Sequence, residues 1–213
     1  MEELTIIQKI AAYAIPIIFA ITVHEAAHGY VARYFGDMTA QYLGRITLNP
    51  LKHIDPVGTI ILPALTVMLG GILFGWAKPV PVNFSNLRNP KKNMMWVALA
   101  GPFSNLLMAI FWTFLYARLQ FFPDNSILFL SAMALAGIQI NLILMVLNML
   151  PIPPLDGGRV AVSLLPYPWS SYIENLERYG LFIIIFLLFS GVLGNILFPV
   201  INISKSIIFS IFG

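Results

Sequence analysis

The chain of 213 residues has no cysteine, and only 10% of its residues are charged. The missing thiols exclude disulfides and thiolate metal ligands and are compatible with either redox compartment. The missing charge excludes a water-soluble globule, which carries roughly 25% charged residues. No stretch is polar enough to form a soluble domain, and there is no internal repeat or low-complexity linker. No basic cluster alternates with aromatics, so the formal charge of +3 is loop charge and not a nucleic-acid footprint. The amino terminus lacks a basic leader: Glu2 and Glu3 precede Lys9, and no clean small-residue cleavage site follows. The first apolar segment is therefore expected to stay as a span and not to be a signal peptide.

What the chain has is apolar length. Hydrophobic residues make up 59% of it. Four runs are long enough to cross roughly 20 residues of bilayer: Ile6 to Phe35, Met94 to Leu119, Ile127 to Leu150, and Tyr179 to Val200. A fifth, Val57 to Gly75, holds Pro63 and the Gly70-Gly71 pair, which weaken a straight helix. After Pro199 the chain reads as a short amphipathic tail. Gln41–Asn49 and Lys78–Asn83 read as strands; the second alternates Val and Pro, which suits an edge strand and forbids a helix. The expected fold is an all-α polytopic membrane protein with about four to six transmembrane helices, a re-entrant segment and a small membrane-associated β element. It forms one membrane-embedded domain over 1–213, with a core over 6–166 and a C-terminal helix and tail over 176–213. Most of Trp76, Trp96, Trp112 and Trp169 lie near run ends, where interfacial anchors belong.

Loop charge tests the fifth run. If Val57–Gly75 spans, Lys9, Lys78, Arg88, Lys91, Lys92, Arg159 and Arg178 share one side, and the other five cations oppose them. If it enters and leaves on one side, only Lys9, Arg118 and Lys205 oppose the other nine. The positive-inside rule prefers the second arrangement and makes the nine-charge side cytoplasmic. Irregular backbone at membrane depth then has to be covered by protein or water.

Inside the first run stands His24-Glu25-Ala26-Ala27-His28. Positions i and i+4 share a helical face, so both imidazoles can hold one metal ion. Glu25 lies beside that face and can act as general base on a metal-held water. Paired core histidines beside a chance glutamate are the plainer alternative. Within a membrane helix, however, each ionisable group costs about 2.5–3.5 kcal/mol, and three within five positions call for a partner such as a metal. A third ligand has to come from elsewhere, and Asp37, His53, Asp55, Asp124 and Asp156 are the candidates. Asp156 follows three prolines that end the third run and precedes Gly157 and Gly158, which allow a tight turn. It meets the histidines only if the first and third runs end on the same side. The re-entrant arrangement provides that.

These residues resemble the site-2 protease family of intramembrane zinc metalloproteases. His24-Glu-Ala-Ala-His28 matches its zinc-binding motif, and Pro154-Leu-Asp156-Gly-Gly158 its third-ligand motif. Ala100-Gly-Pro102-x-x-Asn105 matches a motif of the intervening core helix. Leu43–Pro50 and Gly75–Asn83 look like segments of a short prokaryotic subgroup without PDZ or CBS domains. The match runs in order from Ile6 to about Pro166. The resemblance implies one zinc ion per chain held by His24, His28 and Asp156. It implies that Glu25 activates the water that attacks the scissile carbonyl, and that peptide bonds of transmembrane segments are hydrolysed. Asn105 and Asn148 become candidates for positioning substrate or the oxyanion. Lys78, Pro79, Val80, Pro81, Val82 and Asn83 become a candidate clamp that pairs with an unwound substrate. The expected partners are a transmembrane protein or membrane-retained peptide and the lipid bilayer, with no nucleic acid; the oligomeric state stays open. The expected location is a prokaryotic plasma membrane, multi-pass, with the site toward the cytoplasm. A metal-conducting transporter and a catalytically dead escort are the alternatives. The first lacks the expected repeat, and against the second every catalytic residue is present.

Overall fold

The computed structural model describes residues 4–61, 75–119, 121 and 127–212. Eight α-helices are described: α1 Ile6–Tyr34, α2 Thr39–Tyr42, α3 Pro90–Leu119, α4 Ile127–Asn148, α5 Asp156–Leu164, α6 Trp169–Asn175, α7 Glu177–Phe189 and α8 Val192–Phe212. Short 3₁₀ turns at Pro50–Lys52 and Phe84–Asn86 and a π-helical turn at Pro56–Ile61 complete the regular structure. Four helices, α1, α3, α4 and α8, are long and apolar enough to cross a membrane. Large side chains such as Phe103, Phe111 and Ile203 are exposed on them, as lipid-facing residues are. The chain is a mostly helical, multi-pass membrane protein.

Local chemistry starts α1 where the sequence says it should. Thr5 Oγ1 accepts from the Gln8 N–H, and Gln8 Oε1 accepts from the Thr5 N–H at 2.9 Å, a reciprocal capping box. Pro16 and Pro102 lie inside α1 and α3 without ending them, as membrane helices tolerate. The fourth apolar run breaks differently from expectation. Gly191, at φ +75°, separates α7 from α8. Only glycine adopts that conformation without strain. Pro199 sits inside α8, so the stretch expected to be a tail belongs to a helix of spanning length. Trp112 is likewise not an interfacial anchor. It is buried, with Gly137 of α4 against its ring.

Helices α1, α3 and α4 form the centre, and α8 packs its Leu193, Leu197 and Ile201 onto α3 and α4. Along α1, His24 meets Asn105 and His28 meets Val97, so α1 and α3 are antiparallel. Along α3, Asn105 meets Asn141 and Trp112 meets Gly137, so α3 and α4 are antiparallel as well. Helices α1 and α4 therefore end at the same end of the bundle, as convergence of the ligands requires. The chain between α1 and α3 also returns to that end: the Arg88 N–H donates to Phe35 O at 3.0 Å. Residues 62–74 lie outside the described residues, so the expected re-entrant path is not followed further. On either side of them, the Trp76 N–H donates to Gly58 O at 3.0 Å and the Lys78 N–H to His53 O at 2.9 Å.

The two expected strands are absent among the described residues. Gln41–Asn49 begins as the end of α2, turns at Gly44 and continues through bends. Lys78–Asn83 is irregular, because its polar groups bind side chains and loops in place of a ladder. Arg45 Nη2 donates to Lys78 O and Pro79 O at 3.0 and 3.2 Å. The Asn83 N–H donates to Asp37 Oδ2 at 2.8 Å.

Asp37 is the fastener of this region. Fully buried, it also accepts from the Thr39 hydroxyl, the Thr39 N–H and Asn86 Nδ2. Burial alone would raise its pKa, but the Thr39 hydroxyl and the Asn83, Thr39 and Asn86 donors together hold it below the ordinary carboxylate range. Asp37→Ala is expected to lower stability by about 1–3 kcal/mol, because it orphans buried donors. Thermal unfolding in detergent reads this out. A folded pKa below the unfolded one means that the contribution is present above about pH 4 and is lost as pH falls through the folded value. The difference between wild type and variant should therefore shrink on acidification.

Candidate metal centre

Helix α1 carries His24 and His28 one turn apart, and their Nε2 atoms lie 3.1 Å from each other. Their Nδ1 atoms point the other way. That of His28 lies 2.7 Å from Val97 O, and that of His24 lies 2.6 Å from Asn105 Oδ1. Both partners are acceptors, so each Nδ1 carries the proton and each Nε2 is left with a lone pair. Oδ2 of Asp156 completes the group, 3.2 Å from His24 Nε2 and 3.4 Å from His28 Nε2. It is buried and makes no hydrogen bond.

Three lone pairs thus face one another in a buried space, one of them on a carboxylate. Without a cation between them they repel. His24, His28 and Asp156 are also the only group among the described residues whose donor atoms could hold a metal ion together. Two imidazoles and one carboxylate suit zinc and leave a fourth position open. The residues therefore fit the metal.

Asp156 reaches this point because α5 begins on it. A carboxylate in the first turn is stabilised by the positive end of the helix dipole. Gly157 and Gly158 do not serve as turn residues. They lie in the first turn of α5, and a Cβ on Gly157 would fall 2.4 Å from Met149 and Leu150 backbone. Their smallness lets α5 dock against the end of α4.

The other third-ligand candidates lie elsewhere. Asp37 fastens the region just described. Asp55 Oδ1 accepts from the Val57 and Gly58 N–H groups. His53 Nε2 contacts Thr47 O at 3.0 Å. Asp124 falls outside the described residues.

Glu25 Oε2 accepts from the Val80 N–H at 2.6 Å, which places Lys78–Asn83 against the site. Pro79 and Pro81 have no N–H, and those of Lys78, Val80 and Asn83 are taken by His53 O, Glu25 and Asp37. Asn105 is fully buried and orients a histidine, with its Nδ2 on Asn141 Oδ1 at 2.9 Å. Asn148 is half-buried, and its Nδ2 donates to Leu144 O of its own helix at 2.9 Å. Sequence reasoning missed Val97 and Asn141, and it gave Gly101 no role beyond its place in the Ala100-Gly-Pro102 motif. A carboxamide such as Asn141 within an apolar run was a visible signal. A backbone carbonyl and a glycine's closeness left none.

Fold and site together define a membrane-embedded helical protein with a buried His-His-Asp metal-donor group beside a glutamate. The model of Peptidase family M50 matches residues 124–191. "Putative zinc metalloprotease YwhC" of Bacillus subtilis is 39% identical over 204 residues, covering 93% of this chain and 90% of the relative. "Putative zinc metalloprotease Rip2" of Mycolicibacterium smegmatis is 32% identical, covering 86% of this chain and 69% of the relative. "Putative zinc metalloprotease MJ0611" of Methanocaldococcus jannaschii is 30% identical, covering 75% and 73%. No solved structure matches the chain significantly. The chain belongs to peptidase family M50.

Proposed function

We propose that this chain is a zinc endopeptidase that hydrolyses peptide bonds of membrane-spanning substrates. The convergence of three lone pairs at His24, His28 and Asp156, beside Glu25, carries the reading. When bound there, zinc lowers the pKa of water to about 7 and polarises a carbonyl. Glu25 takes the proton of the attacking water and returns it to the leaving amine. Val97 O and Asn105 hold the two imidazoles in their metal-facing tautomer.

Lys78, Pro79, Val80, Pro81, Val82 and Asn83 lie beside the base and receive the substrate in extended form. Because most of their N–H groups are engaged and Arg45 holds the carbonyls of Lys78 and Pro79, pairing has to use the later carbonyls and Val82. Asn148 stands one residue before Met149, which packs on the turn of Asp156, and positions the substrate there. Asn105 acts on His24, being too buried to aim a donor at substrate. The whole chain acts as one domain in a cell membrane. Loop charge supports a cytoplasmic site, which also lets in the water that hydrolysis consumes.

The test is metal content beside cleavage of a transmembrane substrate carrying helix-breaking residues. Purified protein is expected to hold about one zinc, the number one donor group can bind. A chelator should abolish cleavage, and added zinc should restore it. Folded protein that takes up no zinc under non-chelating conditions overturns the ligand assignment. Zinc-loaded protein that cleaves no such substrate, and instead passes a divalent cation into vesicles, overturns the peptidase reading.

A further inference from the structure

Asn141 lies within α4, fully buried between Ile140 and Leu142 in sequence, and the chemistry above does not use it. A buried amide is costly unless its groups are bonded, and its bonds show what it serves. Its Nδ2 donates to Gly137 O, one turn back in α4, at 2.8 Å. Its Oδ1 therefore faces α3 and accepts from Asn105 Nδ2 at 2.9 Å. A second acceptor, Ala20 O of α1, lies 3.4 Å from the same nitrogen.

With two acceptors at that end, Asn105 has to turn its NH₂ toward them and its Oδ1 toward His24 Nδ1, 2.6 Å away. The opposite orientation would set oxygen against oxygen and aim an N–H at the ring. It would favour the tautomer whose proton sits on Nε2, where the metal belongs. His28 reaches the correct tautomer through one backbone carbonyl, Val97 O. His24 reaches it through two side-chain amides, and both can flip unless something holds them. Gly137 O, part of the α4 backbone, cannot flip.

We propose that Asn141 is a positioning residue that fixes the amide polarity of Asn105 and so presents the His24 Nε2 lone pair to the metal. The inference rests on the metal assignment above. Its chemistry is local: one carbonyl of α4 sets Asn141, Asn141 sets Asn105 with the longer contact to Ala20 O beside it, and Asn105 sets the ring.

The test compares wild type, Asn141→Leu and Asn141→Asp as full chains in detergent. Zinc affinity is read by competition with a chromophoric chelator. The Nδ1–H resonances of His24 and His28 are read in zinc-loaded, 15N-histidine-labelled protein. Leucine fills the space without offering an acceptor. It should weaken zinc binding by about 10–100-fold, the range for removal of an outer-shell partner, and move the His24 Nδ1–H upfield. The His28 resonance should stay. Aspartate keeps an oxygen toward Asn105 whether or not it is protonated, and should recover most of the affinity.

Wild-type affinity with an unmoved His24 resonance in the leucine variant overturns the positioning role and leaves the metal assignment intact. Wild-type protein that binds no zinc overturns the metal assignment itself. If the leucine variant does not fold, the aspartate variant decides. A wild-type His24 resonance supports the role, and a joint shift of His24 and His28 overturns it.

Discussion

Replacing Glu25 by Gln is expected to leave the metal in place and to lower cleavage by about 10²–10⁴-fold, the usual contribution of a general acid–base. Gln matches Glu in size and is neutral, so it cannot take a proton from water. Its Oε1 can still accept from the Val80 N–H, which the carboxylate holds at 2.6 Å. Lys78–Asn83 should therefore stay in place, and the three donor atoms on His24, His28 and Asp156 are untouched. Metal content and cleavage, measured on the same preparation, separate the outcomes. Loss of zinc along with cleavage would make Glu25 part of the metal shell or of its support. Cleavage at the wild-type rate would move the base to another residue.

Gly101→Ala should have an effect of similar size by a different route. A Cβ at this position in α3 would lie 2.4 Å from His28 Nε2 and 2.5 and 2.6 Å from His24 Cε1 and Nε2. Carbon cannot approach the metal-facing nitrogens so closely, so the rings would have to move. They have little freedom, because His28 Nδ1 is held at 2.7 Å from Val97 O and His24 Nδ1 at 2.6 Å from Asn105 Oδ1. Zinc affinity is expected to fall by about 100-fold or more, at or beyond the upper end for disturbing a ligand's surroundings, and cleavage should fall with it. The helix itself should not suffer, since alanine exceeds glycine in helix propensity by about 1 kcal/mol. A competition titration beside a thermal melt in detergent reads both. Unchanged zinc affinity in a folded variant would mean that the rings yield, and the glycine would lose its role as their clearance.

Much of this was legible in the chain. The spans α1, α3 and α4 lie within a few residues of their apolar runs, because a helix that faces lipid needs only apolar length. The common end of α1 and α4 was readable from loop charge, because charge bias records which loops stay on one side. The fourth span was misread because Pro199 looked like a stop and Gly191 did not. In a membrane helix the proline is tolerated, while the glycine at φ +75° makes the break. Lys78–Asn83 has the composition of an edge strand and no ladder, because Asp37, Arg45 and Glu25 satisfy its backbone from outside. Composition reports backbone preference, not the partner that happens to lie nearby.

The sequence by itself determined a multi-pass helical protein and the pairing of His24 with His28, since the 3.6-residue period puts i and i+4 on one face whatever surrounds the helix. Only the tertiary structure decided the meeting of Asp156 with that pair, the closeness of Gly101 to both rings and the amide line from Gly137 through Asn141 and Asn105 to His24. These depend on the rotation and register of one helix against another. In a chain whose protein-facing and lipid-facing sides are both apolar, hydrophobic pattern does not encode them.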